Sequence, residues 1–162
     1  MKLGITATRN GITGPQDLTL RGLAIWMEGF VTEVHHGDAI GGDMDVCEVL
    51  FELLYPSVEF VAHPCRYSDQ RGFFKHNSAI FPELLPLDRN RIISLVADQL
   101  IAFPLQDSEI TRSGTWATVR AFRAKGKPVA VVYPNGNIES DGMAWVAGFD
   151  QTASERPVYR RR

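Results

Sequence analysis

Two runs, DQLIAF at residues 98–103 and RSGTWATVR at residues 112–120, decide the fold. The first is apolar and strand-like. The second opens a helix with Ser113-Gly114-Thr115 at its start. The predicted helix covers residues 113–125, carries Trp116, Ala117, Val119, Ala121 and Phe122, and is closed by Gly126 with Pro128 beyond. PVAVVY at residues 128–133 is the next strand. A strand, a helix and a second strand in succession form the unit of a parallel sheet.

The same alternation extends upstream. KLGITA at residues 2–7 predicts the first strand. A helix follows from Gly14, with Pro15 at its first turn, Asp17 at its positive end, and Leu20, Leu23, Trp26, Met27 and Phe30 expected in the core. VTEVHH at 31–36 is the second strand. Gly41-Gly42-Asp43 lead into a helix with Val46, Cys47, Leu50, Phe51 and Leu54 on its apolar face. VEFVA at 58–62 is the third strand. Residues 63–87, with three prolines, predict a long loop with a short helical piece. Residues 88–97 predict a helix capped by Asp88, followed by a strand at 99–103. A further short strand or helix is expected around residues 143–149.

These alternations imply an α/β protein with a mainly parallel central sheet and helices on both faces. Residues 1–150 read as a single domain, and residues 151–162, ending RPVYRRR, as a flexible basic tail. The chain has 162 residues, 44% hydrophobic and 22% charged, with a net charge of −2. That balance disfavours nucleic acid as a partner. No run approaches the ~20 apolar residues of a membrane helix. Two cysteines and no signal-peptide layout point to the cytoplasm.

Ligands of such sheets sit at the carboxyl ends of the strands. Thr8, Arg9 and Asn10 follow the first strand, Gly41, Gly42 and Asp43 the second, and Ser113, Gly114 and Thr115 open the helix after the fourth. Arg89 and Asn90 start the preceding helix. Glycine admits close backbone approach, helix N-termini present free N–H groups, and arginine adds bidentate donors. The pattern predicts a phosphate site, with Asp43 and Asn90 orienting the loops and Trp116 touching a base.

The sequences DRNRIISLVADQLIAF and SGTWATVRAFRAKGKPVAVV, with GDAIGGDMDV at residues 37–46 and TATRNGIT at 6–13, resemble the core of the SLOG superfamily across residues 2–134. That group includes DprA, the lonely-guy cytokinin-activating hydrolases and molybdenum-cofactor carriers. The resemblance implies a Rossmann-like three-layer sandwich, a nucleotide or nucleotide-derived ligand, and a homodimer. In lonely-guy enzymes an arginine nine positions before the aspartate of the fourth strand acts in catalysis. Arg89 lies nine before Asp98 and matches it. Those enzymes also carry Pro-Gly-Gly-x-Gly-Thr-x-x-Glu, whose glutamate is catalytic. Here LQDSEITRS (105–113) replaces the glycine pair, and no acid follows Gly114-Thr115 in that frame. A nucleoside-monophosphate phosphoribohydrolase would therefore need Arg89 with a substitute acid, Glu109, Asp38 or Asp43. DprA-like single-stranded DNA binding is the other alternative.

His35, His36, Asp38, Asp43, Asp45, His63 and Cys65 match no standard metal spacing, and neighbouring strand residues face opposite ways. No resident metal or cofactor is expected. Asp38 is a candidate for a ribose hydroxyl. Phe73 and Phe74 are expected to anchor the long loop, with a base-covering lid as the alternative. Cys65 near His63 is a weak nucleophile pairing.

Overall fold

The computed structural model describes residues 1–147 and 149; the predicted tail at 151–162 lies outside them. The strands are β1 (Lys2–Ala7), β2 (Glu33–His36), β3 (Glu59–Ala62), β4 (Ala79–Ile80), β5 (Gln99–Phe103), β6 (Val129–Val132) and β7 (Ile138–Asp141). The helices are α1 (Gly14–Met27), α2 (Gly42–Leu54), α3 (Pro86–Val96), α4 (Gly114–Arg123) and the short α5 (Ala144–Ala147). They build one sheet in the order β4-β3-β2-β1-β5-β6-β7. All neighbours run parallel except β7, which is antiparallel to β6. This is a Rossmann-like α/β sandwich, as the strand–helix alternation predicts.

Two cores flank the sheet. Leu20, Leu23 and Met27 of α1 and Val46, Cys47 and Leu50 of α2 bury against Leu3, Ile5, Val34 and Phe60. On the other face, Ile93 of α3 and Trp116, Val119 and Phe122 of α4 pack on Leu100, Ala102 and Val131. Among the described residues no helix is long and apolar enough to cross a membrane.

The structure corrects several local expectations. Trp26 is 47% exposed, because α1 meets the sheet through Leu20, Leu23, Ala24 and Met27 and turns Ile25 and Trp26 outward. Phe30 lies past the end of α1, edge-on to Trp145. Helix α3 starts at Pro86, whose fixed φ suits the first helical position, so Asp88 falls in the first turn rather than at the cap. The long loop contains a single 3-10 turn, Ser68–Gln70, and the edge strand β4. Phe74 anchors that loop, 5% exposed against Phe60, while Phe73 is 56% exposed beneath Arg71.

Candidate functional site

Strand β1 lies between β2 and β5, and the chain builds outward from it in both directions. Its connections diverge there and leave a crevice at the carboxyl edge. A cavity of about 300 Å³ occupies that place. Its floor is the end of β1, from Ile5 to Ala7. Thr8, Arg9 and Asn10 extend the floor into one wall. Arg89 and Asn90 of α3 and the Ser113-Gly114-Thr115 start of α4 supply the opposite walls.

Two helix openings were expected at the site, but only one lines the cavity. Ser113 caps α4, its hydroxyl accepting from the Trp116 N–H at 3.3 Å, and Gly114 and Thr115 line the cavity. Gly41 and Gly42 pack against the β1 end instead. A Cβ on Gly41 would lie 2.0 Å from the Arg9 carbonyl oxygen, and one on Gly42 would lie 2.6 Å from the Ala7 Cβ. The Gly42 N–H donates to the Thr8 carbonyl at 2.8 Å. This pair lets α2 close on β1, and Gly41 sits at φ 82, a conformation glycine adopts without strain.

Asp43 is what α2 contributes to the site. Its carboxylate accepts from the Ala7 N–H at 3.1 Å, the Gly37 N–H at 2.9 Å and the Ala39 N–H at 3.4 Å. One side chain thus ties the ends of β1 and β2 to the start of α2. Burial pushes this carboxyl upward, opposed by Arg89, His36 and the backbone donors. It is the only carboxylate among the described residues lining the cavity.

Arg89 is 9% exposed. Its Nη1 reaches the His63 carbonyl at 3.5 Å, and its buried Nε has no partner. Its nearest countercharge is Asp43, close by across Gly37 but not in a contact ion pair with it. Burial lowers its pKa, opposed chiefly by Asp43. A buried guanidinium with most donors unspent is costly unless something fills it. Asn90, from the same turn, donates to the Gly114 carbonyl at 3.4 Å and joins α3 to α4. Arg9, held by Gln70 Oε1 at 2.6 Å, and Arg112 complete three guanidinium groups around the cavity.

Other predicted contributors sit elsewhere. Trp116 is 1% exposed in the α4 core, outside the cavity lining, and its base-contact role is withdrawn. Its spacing with Val119 and Phe122 already placed it on the buried face. Glu109 pairs with Arg120 at 3.0 Å and Arg123 at 3.3 Å, outside the lining. It pins the 104–113 loop to α4 and does not offer an acid to the site. Asp38 is equally engaged, accepting from the Phe74 N–H and from Arg71. Gly37, noted in the sequence only as a glycine at the end of the second strand, lines the cavity, as do Leu105, Gln106 and Arg112, which were not expected there. Only Arg112, beside the cap residue, carried a sequence signal.

The histidines form a buried chain. His35 Nδ1 and His63 Nε2 are 2.8 Å apart, and His35 Nε2 meets Glu33 at 2.9 Å. If His35 donates to the carboxylate, its Nδ1 must accept from His63. That leaves the buried His63 Nδ1 without a partner. Burial, and then the neighbouring charges, lower the His63 pKa to about 3. His36 turns the other way, to Asn77 at 2.7 Å. Cys65 is buried, its thiol on the Tyr67 carbonyl.

No protein-family model matches the chain. No curated protein matches it in sequence. Solved structures do match in fold. One is the molybdenum cofactor binding protein from the phototrophic bacterium Rippkaea orientalis, with TM-score 0.59, 18% identity, and coverage of 90% of this chain and 80% of that one. Another is the structural-genomics target TM1055, with TM-score 0.53, 20% identity, and coverage of 79% and 71%. At these identities the likeness establishes a shared Rossmann-like sandwich.

Proposed function

We propose that the protein binds a small phosphate-bearing molecule, a nucleotide or a nucleotide-derived ligand, in the cavity at the carboxyl edge of β1 and β5. The observation that carries this reading is Arg89, a buried cation lining the cavity with one long hydrogen bond, at 3.5 Å, and a buried Nε without a partner. A phosphate oxygen supplies further negative charge and strong acceptors for such a guanidinium. The N-terminus of α4 adds unpaired N–H groups on the same cavity. Arg9 and Arg112 at the wall enlarge the positive field. The volume suits a mononucleotide-sized ligand. A buried Arg89 favours a terminal phosphate entering end-on over the internal phosphates of a strand. The fold neighbour described as a molybdenum cofactor binding protein is consistent with a small-molecule ligand.

Binding is the reading preferred over hydrolysis. Glu109 is committed to arginines outside the cavity, and the Asp43 oxygens are occupied by backbone N–H groups. The test is mass spectrometry of small molecules released from the denatured, purified protein, followed by calorimetric titration with adenosine and guanosine 5′-monophosphates. Arg89→Met should weaken binding about 10- to 100-fold, the loss of a charged hydrogen-bond set, with little change in thermal stability. Equal affinity in the variant would remove Arg89 from the site and overturn the reading.

A further inference from the structure

We infer that Gly37 is the positioning residue of the anion site: its missing side chain is the seat in which the Arg89 guanidinium rests. Gly37 follows β2 and lines the cavity. A Cβ built on it would fall 1.5 Å from Arg89 Nη1 and 2.5 Å from Arg89 Cζ. No other glycine in the described residues is met so closely by a cationic side chain. The same Cβ would lie 2.8 Å from Asp43 Oδ2, which accepts the Gly37 N–H. Gly37 therefore stands between the buried cation and the buried carboxylate. Asp43 is held by three backbone N–H groups on one side, and Arg89 lies over the bare Cα on the other. The two charges stabilise each other at a distance without forming a contact pair. Arg89 stays charged and its donors stay unspent.

The backbone at Gly37 is not in the left-handed region, so alanine is conformationally acceptable there. The closest atoms in the way are the far end of the flexible Arg89 side chain, and Asp43 Oδ2 has only a few tenths of an ångström to yield. Gly37→Ala should therefore leave the fold intact and evict the guanidinium from its seat. The displacement falls first on Arg89, by far the closest contact, and the side-chain exchange measurement reads that residue directly.

The ligand half of the test rests on the proposed function; the other half does not. The Arg89 Nε–H is buried and shielded, so it should give a protected resonance in a 15N-resolved arginine side-chain spectrum, identified by its loss in Arg89→Met. In Gly37→Ala its exchange with solvent should rise by at least about tenfold, while backbone amide shifts outside the cavity stay in place. Unchanged exchange in Gly37→Ala overturns the inference, as does a wild-type Arg89 signal with no protection. In titrations with adenosine 5′-monophosphate, Gly37→Ala should lose as much affinity as Arg89→Met, and the double variant should lose no more than either. Additive losses also overturn it. If the wild type binds no nucleotide, the functional reading fails for that ligand and the exchange measurement still decides the role of Gly37.

Discussion

At the level of single residues, the site is governed by one electrostatic imbalance. Arg89 is removed from water yet is given a single long hydrogen bond at 3.5 Å. The same burial acts in the opposite sense on the histidines. His63, with its pKa near 3, remains neutral in the folded protein, whereas an unfolded chain protonates it near 6.5. Between those values the unfolded state binds a proton that the folded state refuses. Stability is therefore full above pH 6.5 and is lost as pH falls toward 3. His35 and His36 are shifted the same way by burial. The unfolding temperature should drop steadily from pH 7 to pH 4, and His63→Gln should make that decline shallower. An identical slope in the variant would assign the acid sensitivity to other groups. Arg89, Ser113 and Thr115 were legible in the sequence because their residue types suit helix starts and anions. Gly37 was visible only as a strand-end glycine, because its contribution is the space above it, filled by a residue 52 positions later. Asp43 was expected to orient the loops, and its particular partners, the Ala7 and Gly37 N–H groups, required the packed strands to become visible.

At the level of elements, the sequence specified those that bury a regular stripe. β1 and β5 match their predicted limits, and α1, α2 and α4 fall where periodicity placed them. The elements missed bury almost nothing. β7, IESD, has one apolar residue and is held by its antiparallel pairing to β6. β4 has two exposed residues at the sheet edge. The start of α1 shows a different mechanism. Thr13 and Gln16 form a reciprocal capping box, and the Gln16 amide also donates to the Pro104 and Val132 carbonyls at 2.9 and 2.8 Å. A fully buried glutamine thereby joins α1 to the ends of β5 and β6. Gln16→Leu keeps the volume and strands two buried acceptors, so it should destabilise by about 2–4 kcal/mol in urea unfolding. A loss under about 1 kcal/mol would mean those carbonyls find water instead.

At the level of the whole molecule, the two faces of the sheet are unequally filled. Among the described residues, 22 buried side chains form the core beneath α1, α2 and α5, against 9 beneath α3 and α4. Both helices of the thinner side, α3 and the start of α4, line the cavity. Helices with less apolar burial open more readily by local unfolding. Hydrogen exchange should therefore be faster in α3 and α4 than in α1 and α2, and a bound nucleotide should slow it selectively in the first pair. Uniform protection across all four helices would contradict this division. A parallel sheet with helices on both faces was implied by the alternation of elements, but which face would be thinner depended on the lengths of α3 and α4, 11 and 10 residues, against 14 and 13 for α1 and α2.

The Asp43 clamp has a consequence for how an incoming anion is received. Three amides from two strand ends and a loop are already immobilised on one carboxylate, so the cavity floor is preorganised. Little backbone entropy remains to be surrendered there when the ligand arrives. For the proposed ligand, adjustment on filling would fall to the arginine side chains, over a base that filling need not rearrange.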